Sequence, residues 1–146
     1  MKMVNKKHIE ALKKANEEIE RKKDIIKKCP FRLKYHFMAP TGWINDPNGF
    51  VQYKGEYHLF YQYYPFGSSW GPMHWGHAKS KDLVRWQHLP VALAPSEPYD
   101  SGKVGGYGCF SGSAVVDGND LVLIYTGDVD GNTPPQVQCI ARSEDG

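Results

Sequence analysis

The run Trp43-Ile44-Asn45-Asp46-Pro47-Asn48-Gly49 is the densest cluster of chemistry-bearing side chains in this 146-residue chain. Asp46 offers a carboxylate at the start of a strand, aimed at a cavity. Pro47 disfavours the helical region for the residue before it and so holds Asp46 extended. Asn45 brings a donor and an acceptor that can fix the carboxylate. By composition alone Asn-Asp-Pro-Asn-Gly is a turn, but its place at the entry to a strand favours a site. Gln62 adds a second amide. Trp43, Trp70, Trp75 and Tyr63 offer flat apolar faces with polar edges. Phe110-Ser111-Gly112-Ser113 adds hydroxyls, and Ser111 follows Asn48 by 63 residues. Aromatic platforms, amides, a hydroxyl and a carboxylate gathered in one cavity suit a sugar.

Other chemistries fit less well. His74-x-x-His77, with His58 or His88 as a third ligand, has a spacing that zinc accepts, but glycine and aromatic neighbours explain that segment without a metal. The stretch Gly102-Lys103-Val104-Gly105-Gly106-Tyr107-Gly108 lacks the Gly-x-x-x-x-Gly-Lys-Ser/Thr pattern of a phosphate cradle and reads as a flexible loop. Neither a metal nor a cofactor is expected.

These residues need strands to hold them. Phe50-Val51-Gln52-Tyr53, Lys54-Gly55 and Tyr57–Tyr63 read as strand, two-residue turn, strand. His77–Ser80 and Trp86–Leu93 continue the sheet. Ser113–Val116, Leu121–Tyr125 and Val137–Ser143 form a second set, separated from the first by an offset of 63, with Gly49 answering Gly112, Gly55 answering Gly118 and Ala78 answering Ala141. Leu59 and Tyr61 answer Leu123 and Tyr125 at 64, a slip of one in the turn. A four-stranded antiparallel sheet repeated radially is a propeller blade. The expected fold is all-β: two blades, the second incomplete, preceded by an α-helix. Ile9, Leu12, Ala15, Ile19 and Ile26 share one face of that helix over 5–28, with Asn5 as its cap and Pro30 beyond its end. The expected division is 1–30 for the basic helix and 31–146 for the sheets.

Composition narrows the class. The chain is 40% hydrophobic, 23% charged and 13% aromatic, which excludes a disordered tail. A formal net charge of +2 gives no reason to expect nucleic acid. Residues 1–28 hold ten Lys/Arg against five acids, as a solvated helix face does. No apolar run is long enough to span a membrane, and the first segment lacks the apolar core of a secretory signal. Cys29, Cys109 and Cys139 are odd in number and read as buried reduced thiols, so the cytoplasm is the expected compartment.

Trp43–Gly49, Phe60-Tyr61-Gln62-Tyr63, Trp70–Ala78 and Phe110–Ser113 together, in that order, resemble glycoside hydrolase family 32, the invertases, sucrose-6-phosphate hydrolases and fructan hydrolases. The basic helix without a signal is most similar to its bacterial sucrose-6-phosphate hydrolases. The resemblance covers about residues 31–146. It implies a five-bladed β-propeller catalytic domain followed by a β-sandwich, and a substrate such as sucrose, sucrose 6-phosphate or fructan. It implies Asp46 as nucleophile, and Trp43, Ile44, Asn45, Asp46, Gln62, Trp70, Phe110 and Ser111 as substrate contacts. The family's Arg-Asp-Pro and Glu-Cys motifs do not occur here.

That absence has a chemical consequence. A retaining glycosidase needs two carboxyl groups about 5–5.5 Å apart, one as nucleophile and one as acid/base. Asp46 supplies the first. The chain is therefore expected to be the N-terminal part of a longer protein and inactive alone. Bare sheet edges and aromatic faces would also make it poorly soluble or molten. A non-catalytic fructoside-binding remnant and a fructosyltransferase fragment are the alternatives.

Overall fold

The computed structural model describes residues 5–146. One helix, α1 (Lys6–Lys27), precedes seven strands: β1 (Trp43–Tyr53), β2 (Glu56–Tyr64), β3 (His74–Ser80), β4 (Gln87–Leu93), β5 (Tyr107–Asp117), β6 (Asp120–Val129) and β7 (Gln136–Ser143). They form two antiparallel sheets, ordered β1-β2-β3-β4 and β5-β6-β7. Each is a meander of sequential neighbours, the plan of a propeller blade. The contact between the sheets runs chiefly through β1 and β5.

The alternation of β2 explains why the first sheet is buried on both faces. Successive side chains on a strand point to opposite sides. Phe60 therefore turns toward the second sheet, joining Trp75, Leu93, Cys109, Leu121, Leu123 and Tyr125 in one core. Tyr61 and Tyr63 turn the other way, into a second core with Ala15, Ala39 and Val91. Leu12 and Ile19 of α1 pack against that second core.

The helix starts where its cap dictates. Asn5 Oδ1 accepts from the backbone N–H of Lys7 (3.1 Å) and of His8 (3.4 Å), satisfying first-turn donors that have no helical partner. Its polar residues then tie it to the sheet. Asn16 Oδ1 accepts from the Val91 N–H at 3.0 Å, covering a donor on the edge strand β4. His8 Nδ1 meets Ser96 Oγ at 3.1 Å, and Asn5 bonds Glu97. Pro90 sits in β4 without cost to the ladder, because an edge strand has a free side.

The repeat is real, and bulges redraw its register. The β1–β2 turn is Lys54-Gly55, both with positive φ (47° and 80°), as a type I′ hairpin turn requires. The β5–β6 turn is Gly118-Asn119, so the true offset there is 64, and Gly55 does not answer Gly118. Further up the strands, Ile44 pairs with Tyr63 and Pro47 with Tyr61, while Cys109 pairs with Gly127 and Gly112 with Tyr125. An extra residue between Asn48 and Val51 shifts the inner strand once more. Ser111 is thus the counterpart of Asp46, not of Asn48 as the 63-residue offset suggested. No helix among the described residues is long and apolar enough to cross a membrane.

Candidate active site

Asp46 and Ser111 both lie in β-bulges. Asn45 and Asp46 sit between the paired residues Ile44 and Pro47, against Gln62 alone on the partner strand. Ser111 is likewise skipped between the pairs Phe110–Thr126 and Gly112–Tyr125. A bulge leaves its extra residue out of the ladder and re-aims its side chain. Here the two re-aimed side chains meet: Ser111 Oγ donates to Asp46 Oδ2 at 3.2 Å.

Three side chains of the first sheet hold the β5 bulge in place. Gln62 Nε2 donates to the Cys109 carbonyl (3.0 Å) and Trp75 Nε1 to the Phe110 carbonyl (3.1 Å). Asn48 Oδ1 accepts from the Gly112 N–H at 3.3 Å. Only glycine fits at 112, since a Cβ there would lie 2.0 Å from the Ile124 carbonyl oxygen. Asn48 Nδ2 is buried and has no partner among the described residues.

The walls come from the β2–β3 loop. The Met73 N–H donates to the Tyr107 carbonyl (3.3 Å), and the Cys109 N–H donates to the Met73 carbonyl (2.8 Å). These bonds stitch the loop to the top of β5. The glycine-rich segment is pinned rather than free: Gly106 N–H donates to Asp130 Oδ2 at 2.6 Å, and Asp130 N–H to the Gly106 carbonyl at 2.9 Å. Gly106 lies beside the Trp70 indole.

The result is an open hollow of about 120 Å³ lined by Asn45, Asp46, Gln62, Trp70, Met73, Phe110 and Ser111. Six of the eight residues named from the sequence converge there. Trp43 instead pairs with Tyr64 at the start of β1, and Ile44 packs on the core beneath α1. Trp75 and Tyr63 are fully buried, one in each core, and present no face to a ligand. Met73 was not anticipated, because an unbranched thioether in Gly-Pro-Met-His carries no pattern of its own. Asp46 is the sole carboxylate among the lining residues. Asp100 is buried elsewhere, accepting from Ser96 N–H, Glu97 N–H and Tyr125 hydroxyl, and burial pushes its carboxyl above the usual range.

Among the described residues no group of three or more His, Cys, Asp or Glu could hold a metal ion. His58 Nδ1 and His77 Nε2 lie 2.9 Å apart, and His77 stacks on Phe60 at 4.1 Å. Burial pushes His77 down to about 3 and His74 down to about 4, so both sit neutral in the core.

Known proteins are similar to this chain in sequence and fold. The family model "Glycosyl hydrolases family 32 N-terminal domain" matches residues 36–146. A sucrose-6-phosphate hydrolase of Zymomonas mobilis is 56% identical over 117 residues, 77% of this chain and 22% of that protein. A levanase of Bacillus subtilis is 56% identical over 126 residues, covering 79% of this chain and 17% of its own length. The structure of a GH32 β-fructofuranosidase from Bombyx mori superposes with a TM-score of 0.78 at 48% identity, over 93% of this chain and 28% of that one. The chain thus spans about a quarter or less of the length of the curated relatives just named. Since the family model runs through both sheets and takes in every residue of the hollow, the chain belongs to glycosyl hydrolase family 32.

Proposed function

We propose that this chain supplies the nucleophile half of a retaining β-fructofuranosidase. In this reading residues 31–146 begin a five-bladed propeller catalytic domain, and the segment 1–30, which contains α1, leads into it. The substrate is a terminal β-D-fructofuranoside: sucrose, sucrose 6-phosphate or a fructan. The observation that carries the reading is Asp46 itself, a carboxylate re-aimed by a bulge into a polar hollow and hydrogen-bonded by Ser111. The Ser111 hydroxyl engages Oδ2 and leaves Oδ1 to attack C2 of the fructosyl unit. Asn45 and Gln62 bind ring hydroxyls, while Trp70 and Phe110 shape the apolar wall. The leaving oxygen takes a proton from a second carboxyl group, which then activates water to release fructose with retention. The names of the relatives support this substrate class, and a structure of the Bombyx mori enzyme is of a complex with sucrose. Three unpaired cysteines suit a reducing cytoplasm.

One observation favours a second reading. The hollow holds a single lining carboxylate, as a non-catalytic fructoside-binding remnant would. A fusion separates the two. The chain is joined to the remaining part of the Zymomonas mobilis relative and assayed for fructose release from sucrose and sucrose 6-phosphate. The fusion is expected to turn over and the chain alone to give only background, since acid/base assistance contributes about 10²–10⁴-fold. A folded but inert fusion, or a chain that works as well alone, overturns the proposal.

A further inference from the structure

A second cleft lies against the outer side of the Trp70–Met73 wall. It has a volume of about 400 Å³ and is lined by one face of α1 (Lys7, Glu10, Ala11 and Lys14) on one side. Those four positions follow i, i+3, i+4, i+7 and so share a helix face. The opposite side comes from the β2–β3 loop and the β4–β5 connection. Pro72 lines this cleft while its neighbour Met73 lines the hollow of Asp46, so the two cavities stand back to back. Four of the twelve residues lining the cleft, all on α1, precede the family match at residue 36. It is therefore distinct from the family's catalytic pocket.

We propose that this cleft binds a hexopyranose, on the geometry of an exposed aromatic platform ringed by donors and acceptors. Phe66 is 40% exposed and is braced edge-on by Tyr64 and by His74, each with ring centroids 5.7 Å away. Its backbone carbonyl is held by Lys22 of α1 at 3.2 Å. A pyranose chair has one face of axial C–H groups, which stacks on such a ring while its equatorial hydroxyls point outward. His74 Nδ1 donates to the Pro72 carbonyl at 2.8 Å, which leaves Nε2 as an acceptor. Ser101 and Tyr107 bring hydroxyls that both donate and accept. The Lys7 and Lys14 ammonium groups can only donate. Aromatic stacking with both polarities of hydrogen-bond partner is what a polyol ring requires, and the site stands independently of the fructoside-cleaving reading.

The test is a titration of the ¹⁵N-labelled chain with glucose, followed by amide shifts. Signals of Ala11, Ser101 and Tyr107 are expected to move saturably as glucose is added. Ala11→Trp fills the cleft and should abolish those shifts. Phe66→Ala should weaken binding at least about fivefold by removing a stacking face. Signals of Asn45, Asp46 and Ser111 report the other hollow separately, so silence there leaves this proposal standing. Should the chain alone give an undispersed spectrum, the same signals are read in the fusion. Absence of saturable shifts, or shifts that persist in Ala11→Trp, overturns the proposal.

Discussion

Asp46 in β1 and Ser111 in β5 occupy the same bulged position of two repeated sheets, yet one is an anion and the other a neutral donor. The first sheet has a fourth strand, and α1 covers its outer face. The second has three strands, and its outer face carries Ile124 and Ile140 in the open, the latter 67% exposed. A repeated bulge thus presents two side chains to one another, and the difference between copies makes them hydrogen-bond partners. A nucleophile duplicated at both positions would set two carboxylates together, each disfavouring the other's ionised form. A carboxylate facing a hydroxyl has a charge with a partner that does not compete for it.

The two faces of this repeat should also differ in how much stability they hold. Trp75, fully buried between the sheets, packs on Phe60 and Tyr125. Trp75→Ala should cost about 3–5 kcal/mol, and because its indole also holds the Phe110 carbonyl it should loosen the Ser111 bulge. Calorimetry and denaturant melts of the fusion would show this as a lowered transition midpoint. A cost near zero would mean that the sheets are not packed as described.

A smaller effect follows from the buried histidines of the first sheet. Burial pushes His77 down to about 3 in the fold, from about 6.5 once unfolded. Its neutral form is favoured by folding, so its stability is whole above pH 6.5 and drains away as pH falls toward 3. The loss runs at up to about 1.4 kcal/mol per pH unit. Melting temperature should fall on acidification, and His77→Gln should flatten that slope even if it melts lower at pH 7. An unchanged slope would remove His77 from the account. The smallest effect belongs to the second sheet's outer face, where Ile140→Ala should stay within about 0.5 kcal/mol in this chain. A cost of several kcal/mol would show that this face is covered.

Much of the fold could be read from residues alone. The apolar run of β2, the Lys54-Gly55 turn and the helical face of Leu12, Ala15 and Ile19 each carried a local signal strong enough to place an element. Six residues of the hollow were named through motif resemblance. The rest depended on register, which local pattern does not encode. An offset of 63 put Ser111 opposite Asn48, because bulges add residues to β1 without leaving a periodic trace. Trp75 and Tyr63 looked like ligand platforms because burial depends on which face of the strand meets a partner. The glycine-rich loop looked free because the carboxylate that pins it, Asp130, lies 24 residues beyond Gly106 in the β6–β7 connection.

The most direct measurement is the turnover of the fusion with Asp46 and Ser111 altered in parallel. On the proposed mechanism Asp46→Ala removes the nucleophile and should lower kcat by about 10⁴-fold or more. Ser111→Ala removes one charge-assisted hydrogen bond, worth about 1.5–3 kcal/mol, and should lower kcat/KM about 10- to 100-fold. Turnover within a few-fold of the parent in a folded Asp46→Ala fusion would contradict the assignment of the nucleophile and everything built on it.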